Sequence, residues 1–137
     1  MDINSLAVAE TATIELRHPQ TNAVLTTDKG DPMTVTIYSQ YTKQYKMAAH
    51  KFNTAQVKIL SNLGKDDTPT EDQEKAIKEA ADKLVLDCIV SISIQVDGKV
   101  SKDPKKIIGK PEYAFLQQQI DNAIMSPSVF MKAQPAV

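Results

Sequence analysis

The chain has 137 residues, with 16 Lys and Arg against 17 Asp and Glu, a formal charge of -1. A chain of that length suits one domain that buries about two-thirds of the surface its unfolded form exposes. The charge balance leaves no overall footprint for nucleic acid or an anionic membrane, the single cysteine excludes an internal disulfide framework, and with 5% aromatic residues and no Trp the core is expected to be aliphatic.

Residues 1–10 carry no turn signal and read as a flexible tail. Residues 11–17 (TATIELR) alternate strictly, with Ala12, Ile14 and Leu16 on one face and Thr13, Glu15 and Arg17 on the other, which predicts a half-buried strand. Residues 33–38 (MTVTIY) repeat the pattern with Met33, Val35 and Ile37 inward. The two are expected to pair antiparallel. Between them lie two polar turn clusters, residues 18–22 and 28–32, with Val24 and Leu25 as an extra short strand or a cover for the open edge.

Ser39 is the expected N-cap of a long helix over 40–62, closed by Gly64. Along it Tyr41, Tyr45, Ala48, Phe52, Ala55, Ile59 and Leu63 form a near-heptad apolar stripe. Residues 65–70 (KDDTPT) read as a linker whose end starts the next helix, with Thr68 as cap, Pro69 in the first turn and Glu71 closing a capping box. Ile77, Ala81, Leu84, Val85 and Cys88 form the stripe of this helix, and the short polar loop predicts an antiparallel helix hairpin. Cys88, on that stripe, reads as a core residue. From Ile89 the period becomes two, so the helix is placed to end near Val90 and an extended segment to run to Val96. Asp97-Gly98 is a type I′ turn signal returning through Lys99 and Val100. Asp103-Pro104 opens a short helix ended by Gly109, and Pro111 opens a closing helix with Leu116, Ile120, Ala123 and Ile124 on one stripe. Ser126-Pro127 stops it, Val129 and Phe130 return as an apolar clamp, and residues 132–137 read as frayed.

Together these elements predict a tail over 1–10 and a single α+β domain over 11–131. It is predominantly helical, with an N-terminal antiparallel β ribbon packed on an antiparallel helix pair plus a C-terminal helix. No apolar run reaches the roughly 20 residues needed to cross a bilayer, and residues 1–10 lack the basic start of a signal peptide, so the expectation is a soluble protein that is not exported.

Residues able to do chemistry are few. His18 lies in a turn and His50 among polar residues of the long helix, so neither a zinc site nor a Cys-His arrangement has its spacing. Four glycines stand in no phosphate-binding pattern. Asp66, Asp67, Glu71, Asp72 and Glu74 sit at a linker and a helix start, where the dipole favours carboxylates. Lys102, Lys105, Lys106 and Lys110 read as a solvated basic face. The expectation is a noncatalytic protein with no cofactor and no metal.

The order of segments resembles the tail assembly chaperones of long-tailed bacteriophages and prophages. The likeness rests on a β segment over 14–25 (IELRHPQTNAVL), the strand MTVTIY, a helix with a Tyr-rich start over 41–62, the charged linker, the helix leading to the Asp97-Gly98 loop, and the closing PEYAFLQQQIDNAI followed by a small-residue turn and Phe130. It spans about residues 11–131. Where family members commonly carry Trp before the acidic-glycine loop, this chain has Ile89-Val90-Ser91-Ile92-Ser93. The resemblance implies a protein of the host cytoplasm, absent from the mature virion. It would bind the tape-measure protein, keep its apolar helical stretches soluble and help recruit tail-tube protein, with homo-oligomerisation open. The competing reading is a structural connector or tail-completion protein retained in the virion. For the chaperone reading, recognition is expected through helix-in-groove packing of amphipathic partner segments. The candidate partner-binding residues are Tyr41, Tyr45 and Phe52 on the long helix and Tyr113, Phe115, Leu116 and Phe130 at the end of the chain.

Overall fold

A computed structural model describes residues 2–61, 63–64 and 67–131. The expected frayed end at 132–137 and part of the expected linker lie outside the described residues. The fold is α+β, as the sequence patterns predict: a four-stranded antiparallel sheet with a helix pair and a closing helix.

Strand β1 (Thr11–Glu15) pairs with β2 (Thr34–Tyr38), from Thr11 opposite Tyr38 to Glu15 opposite Thr34. The alternation places Val35 and Ile37 wholly inside, with Ala12 and Ile14 packed partly against them. Thr13 and Thr36 meet on the other face, their hydroxyls 2.7 Å apart. The ribbon is not left alone. β2 also pairs with β3 (Ile89–Val96), and β3 with β4 (Lys99–Ser101), which gives the order β1-β2-β3-β4. A bulge lies between Thr36 and Ile37: Thr36 is opposite Ser91, but Ile37 is opposite Ile89. Val90 is the extra residue, and it is exposed. Asp97 and Gly98 both have positive φ, 52° and 77°, the conformation that a two-residue type I′ hairpin requires.

Residues 17–32 fold back along the end of this ribbon. The Leu16 N–H donates to the Met33 carbonyl, the Leu25 N–H to Leu16 and the Met33 N–H to Leu25, so Leu25 closes the edge between the two strands without a regular strand of its own. The side chain of His18 is a turn fixture: its Nδ1 accepts from the backbone N–H groups of Gln20 and Thr21 at 3.1 and 3.3 Å.

Helix α1 (Lys43–Leu60) begins later than its sequence suggests, because Thr42, not Ser39, is the cap. Ser39, whose N–H continues the ribbon by pairing with the Glu10 carbonyl, closes a turn instead: its Oγ accepts from the Tyr41 N–H and its carbonyl from the Thr42 N–H. Helical bonding then starts from Thr42, whose Oγ1 accepts from the Tyr45 N–H at 3.2 Å. The helix also stops at Leu60, short of the expected 62. Helix α2 (Glu71–Asp87) is capped by Thr70 instead of Thr68, in a capping box closed by Gln73 instead of Glu71. The Gln73 amide also donates to the Ile59 carbonyl at the end of α1, which fixes the antiparallel hairpin at its tip. Cys88 ends α2, and Ile89 already belongs to β3.

The closing segment is a 3-10 turn Pro111–Tyr113, then α3 (Ala114–Ile124), then a second 3-10 turn Pro127–Phe130. α3 buries Leu116, Ile120, Ala123 and Ile124 against the sheet face made by Val35, Ile37, Ile92 and Ile94. The helix pair reaches this core at its base, through the buried Ala48, Val85 and Cys88 with Tyr45, Leu84 and Leu86 packed partly beside them. Residues 2–10, expected as a tail, make a 3-10 turn Ile3–Leu6 and then lie beside the chain end, where Val8 bridges Met131 and the Ala9 N–H meets the Phe130 carbonyl.

Candidate functional site

Within α1 and α2 only Ala48 and Val85 are fully buried, although both helices carry apolar stripes along most of their length. Most of these stripes is half-buried. Where α3 crosses the base of the pair, the unfilled space forms an apolar groove of about 320 Å³. Tyr45 and Phe52 of α1 form one wall, Ala81, Leu84 and Val85 of α2 the other, and Ile124 with the exposed Met125 closes the end. Tyr45 and Phe52 stand seven residues apart, two turns of helix, and so share a face.

Titratable groups enter this groove at two points. Cys88 lies beneath it, fully buried; burial first, and then the charges of Asp87 and Asp121, push its thiol up to about 11. Asp121 projects from α3 at the edge, where burial, assisted by the nearby Asp82 charge, raises its carboxyl above the ordinary range. Burial likewise raises the Tyr45 phenol, with smaller contributions from Cys88 and Asp121. A thiol kept protonated in this way is a poor nucleophile.

On the far side of Asp121 a polar network ties the elements together. Lys78 and Asp82 of α2 pair at 2.9 Å, the Gln117 amide donates to Asp82 at 2.9 Å and its carbonyl accepts from the Gly109 N–H at 3.0 Å, and Lys78 reaches the Gly109 carbonyl. These groups satisfy one another and fix the angle between α2 and α3. Among the described residues no group of three His, Cys, Asp or Glu side chains converges to hold a metal ion, and no helix is long and apolar enough to cross a membrane. Comparison with protein-family models, with curated proteins and with solved structures finds no match.

Of the seven candidate contact residues, the structure brings Tyr45 and Phe52 together in the groove. Tyr41 is exposed in the turn before α1, Tyr113 is half-buried against the core, and Phe115 is 37% exposed on α3. Leu116 and Phe130, 7% and 2% exposed, belong to the core and present no surface to a partner. The reason is local: Leu116 lies on the same stripe as Ile120 and Ile124, and the turn at Pro127 swings Phe130 beneath the N-terminal segment. Sequence reasoning missed the groove residues of α2 and α3. Leu84 and Val85 were legible as a stripe, but the stripe alone does not say that α1 covers only part of it.

Proposed function

We propose that this protein is a noncatalytic tail assembly chaperone that receives an amphipathic helix of a tape-measure protein in the groove between α1, α2 and α3. The observation that carries this reading is the groove itself: apolar on both walls, open to solvent, and built on helices that leave much of their stripes uncovered. Burying such a surface under a partner's Leu or Ile side chain releases roughly 25 cal/mol per Å² of apolar area, and helix-in-groove recognition uses contacts of this kind. The segment order that resembles the chaperone family gives the ligand its identity. In this reading the protein acts in the host cytoplasm, helps recruit tail-tube protein, and is absent from the finished virion.

The test is co-expression with a tape-measure protein of a long-tailed phage. The wild-type chain should co-purify with that protein and raise its solubility, and Phe52→Asp, which puts a charge on the groove wall, should abolish both while circular dichroism stays that of the parent. If the wild-type chain neither co-purifies nor increases solubility, the chaperone reading fails.

A further inference from the structure

Between Met33 and Gly64 the sequence holds four lysines, one histidine and no carboxylate. The near-neutral total therefore conceals a segregated charge, since all 17 acidic residues lie outside this stretch. All four lysines, Lys43, Lys46, Lys51 and Lys58, are on α1 and exposed. The ion pairs among the described residues, Lys78–Asp82 and Lys83–Asp87, are both internal to α2. None of the four α1 lysines is thus in an ion pair among the described residues, and only Lys51, which borders a crevice with Asp87 of α2, has a carboxylate on the same crevice.

The charge also has a direction. Lys43, Met47, His50, Thr54 and Val57 recur at intervals of four and three, so they share one face of α1, the face opposite the stripe that meets α2. Met47 and Val57 on it are 52% and 70% exposed. Around Met47, the side chains of Lys43, Lys46, His50 and Lys51 form a shallow open trough of about 550 Å³. Lys51 and Lys58 stand one heptad apart and extend the basic border past Val57.

We propose that this outer face of α1 binds an acidic amphipathic helix of a partner protein, with its apolar residues on Met47 and Val57 and its carboxylates against the four lysines. Met47 and Val57, ten residues apart on one face and bordered by charge of one sign, are what a helix with two matching apolar side chains and Glu beside them complements, much as flanking charges do in a coiled-coil seam. At 18 residues, α1 offers about 27 Å of length, enough for a partner helix to span both Met47 and Val57. A nucleic acid fits less well, because the face has no Arg to grip phosphate with paired hydrogen bonds and no aromatic side chain on which a base could stack. The site lies across α1 from the groove, so it shares with the chaperone reading only the kind of ligand, and either can fail alone.

The experiment uses the full chain and two synthetic helical peptides with the same Leu seam, one flanked by Glu and one by Lys, followed by amide chemical shifts and calorimetry. The Glu peptide should shift the outer-face residues of α1, and its affinity should fall several-fold as salt is raised. Lys46→Glu with Lys51→Glu should weaken it by about tenfold or more, while Phe52→Asp in the groove leaves it unchanged. Equal binding of the two peptides, or binding that survives the double charge reversal, overturns the proposal. So does tighter binding of a single-stranded oligonucleotide or an anionic vesicle to the same residues. Shifts of these residues that follow protein concentration alone would make a second copy the occupant and also overturn it.

Discussion

The side-chain amide of Gln119, on α3, pairs with the backbone of Arg17 as a neighbouring strand would: the Arg17 N–H donates to Gln119 Oε1 at 2.9 Å, and Gln119 Nε2 donates to the Arg17 carbonyl at 2.7 Å. Arg17 lies two residues beyond the end of β1, just before the turn at His18, so its backbone needs partners that the ribbon no longer supplies fully. One amide meets both needs and anchors α3 to the sheet edge. Gln119→Ala should lower unfolding free energy by about 1 kcal/mol, measured by urea denaturation. Gln119→Glu should cost more, since it sets a carboxylate against the Arg17 carbonyl. Gln118→Ala is the control, because its amide bonds only to Asn122 on the helix surface. If the Gln118 and Gln119 alanine variants are equally stable, the clamp contributes nothing.

Gly109 and Gly30 both have strongly positive φ, 82° and 88°, but they differ in surroundings. A Cβ on Gly109 would lie 3.0 Å from Asp82 Oδ2, whereas one on Gly30 would meet nothing within 4 Å. Both alanine substitutions carry the left-handed backbone cost of about 1–2 kcal/mol. Gly109→Ala should exceed Gly30→Ala, because it also displaces the carboxylate that holds Lys78 and Gln117. Thermal unfolding of the two variants side by side measures the difference, and an equal loss would mean that the Asp82 network yields without cost.

The strands and stripes were legible because they follow a single period. Ile14, Val35 and Ile37 point inward for the same reason that Thr13 and Thr36 point outward. The helix starts were shifted because capping depends on what the backbone is already bonded to. Ser39 has the right side chain, but its Oγ and carbonyl close a tight turn through Thr42, and Thr70 has in Gln73 a partner whose amide also donates to the Ile59 carbonyl of α1, which the Glu71 carboxylate could not do for Thr68. The end of α2 was blurred by the bulge at Val90, which breaks the alternation of β3 at the point where the helical period gives way. For the groove, the contact residues Tyr45 and Phe52 could be named from spacing alone. Their opposite wall could not, since it depends on where α3 crosses the pair. The charge segregation of α1 was visible in the sequence, but only by counting carboxylates over a window and not over the whole chain.

Cys88 should behave as a packed thiol. With its pKa at about 11 and its side chain fully buried, it should resist a thiol reagent at pH 8 until the protein is unfolded, and the reaction rate should follow the unfolding curve in urea. The folded value lies above the ordinary thiol value of about 8.5. The associated stability is therefore complete below that value and is lost as pH rises toward 11. Cys88→Ala should flatten this alkaline loss while lowering stability at pH 7 by removing core volume. Rapid modification of the native protein at pH 8 would show the groove opening down to Cys88.

Asp121 supplies the opposite test, at acid pH. Its carboxyl is raised by burial and by Asp82, so the folded state holds the proton more tightly than the unfolded one. Its favourable contribution is present below the ordinary carboxylate pKa of about 3.9 and is lost as pH rises through the raised folded value. At neutral pH the ionised group is therefore a burden on the fold, kept where it borders both the apolar groove and the Lys78–Asp82 network. Asp121→Asn should be more stable than the parent at pH 7, and the difference should close as pH falls to about 3. Urea unfolding at both pH values decides it. A gain of equal size at both would assign the effect to amide packing instead of charge. If the aspartate is retained for binding, the same variant should weaken a helical peptide that carries a Lys facing the groove and leave its neutral counterpart unaffected.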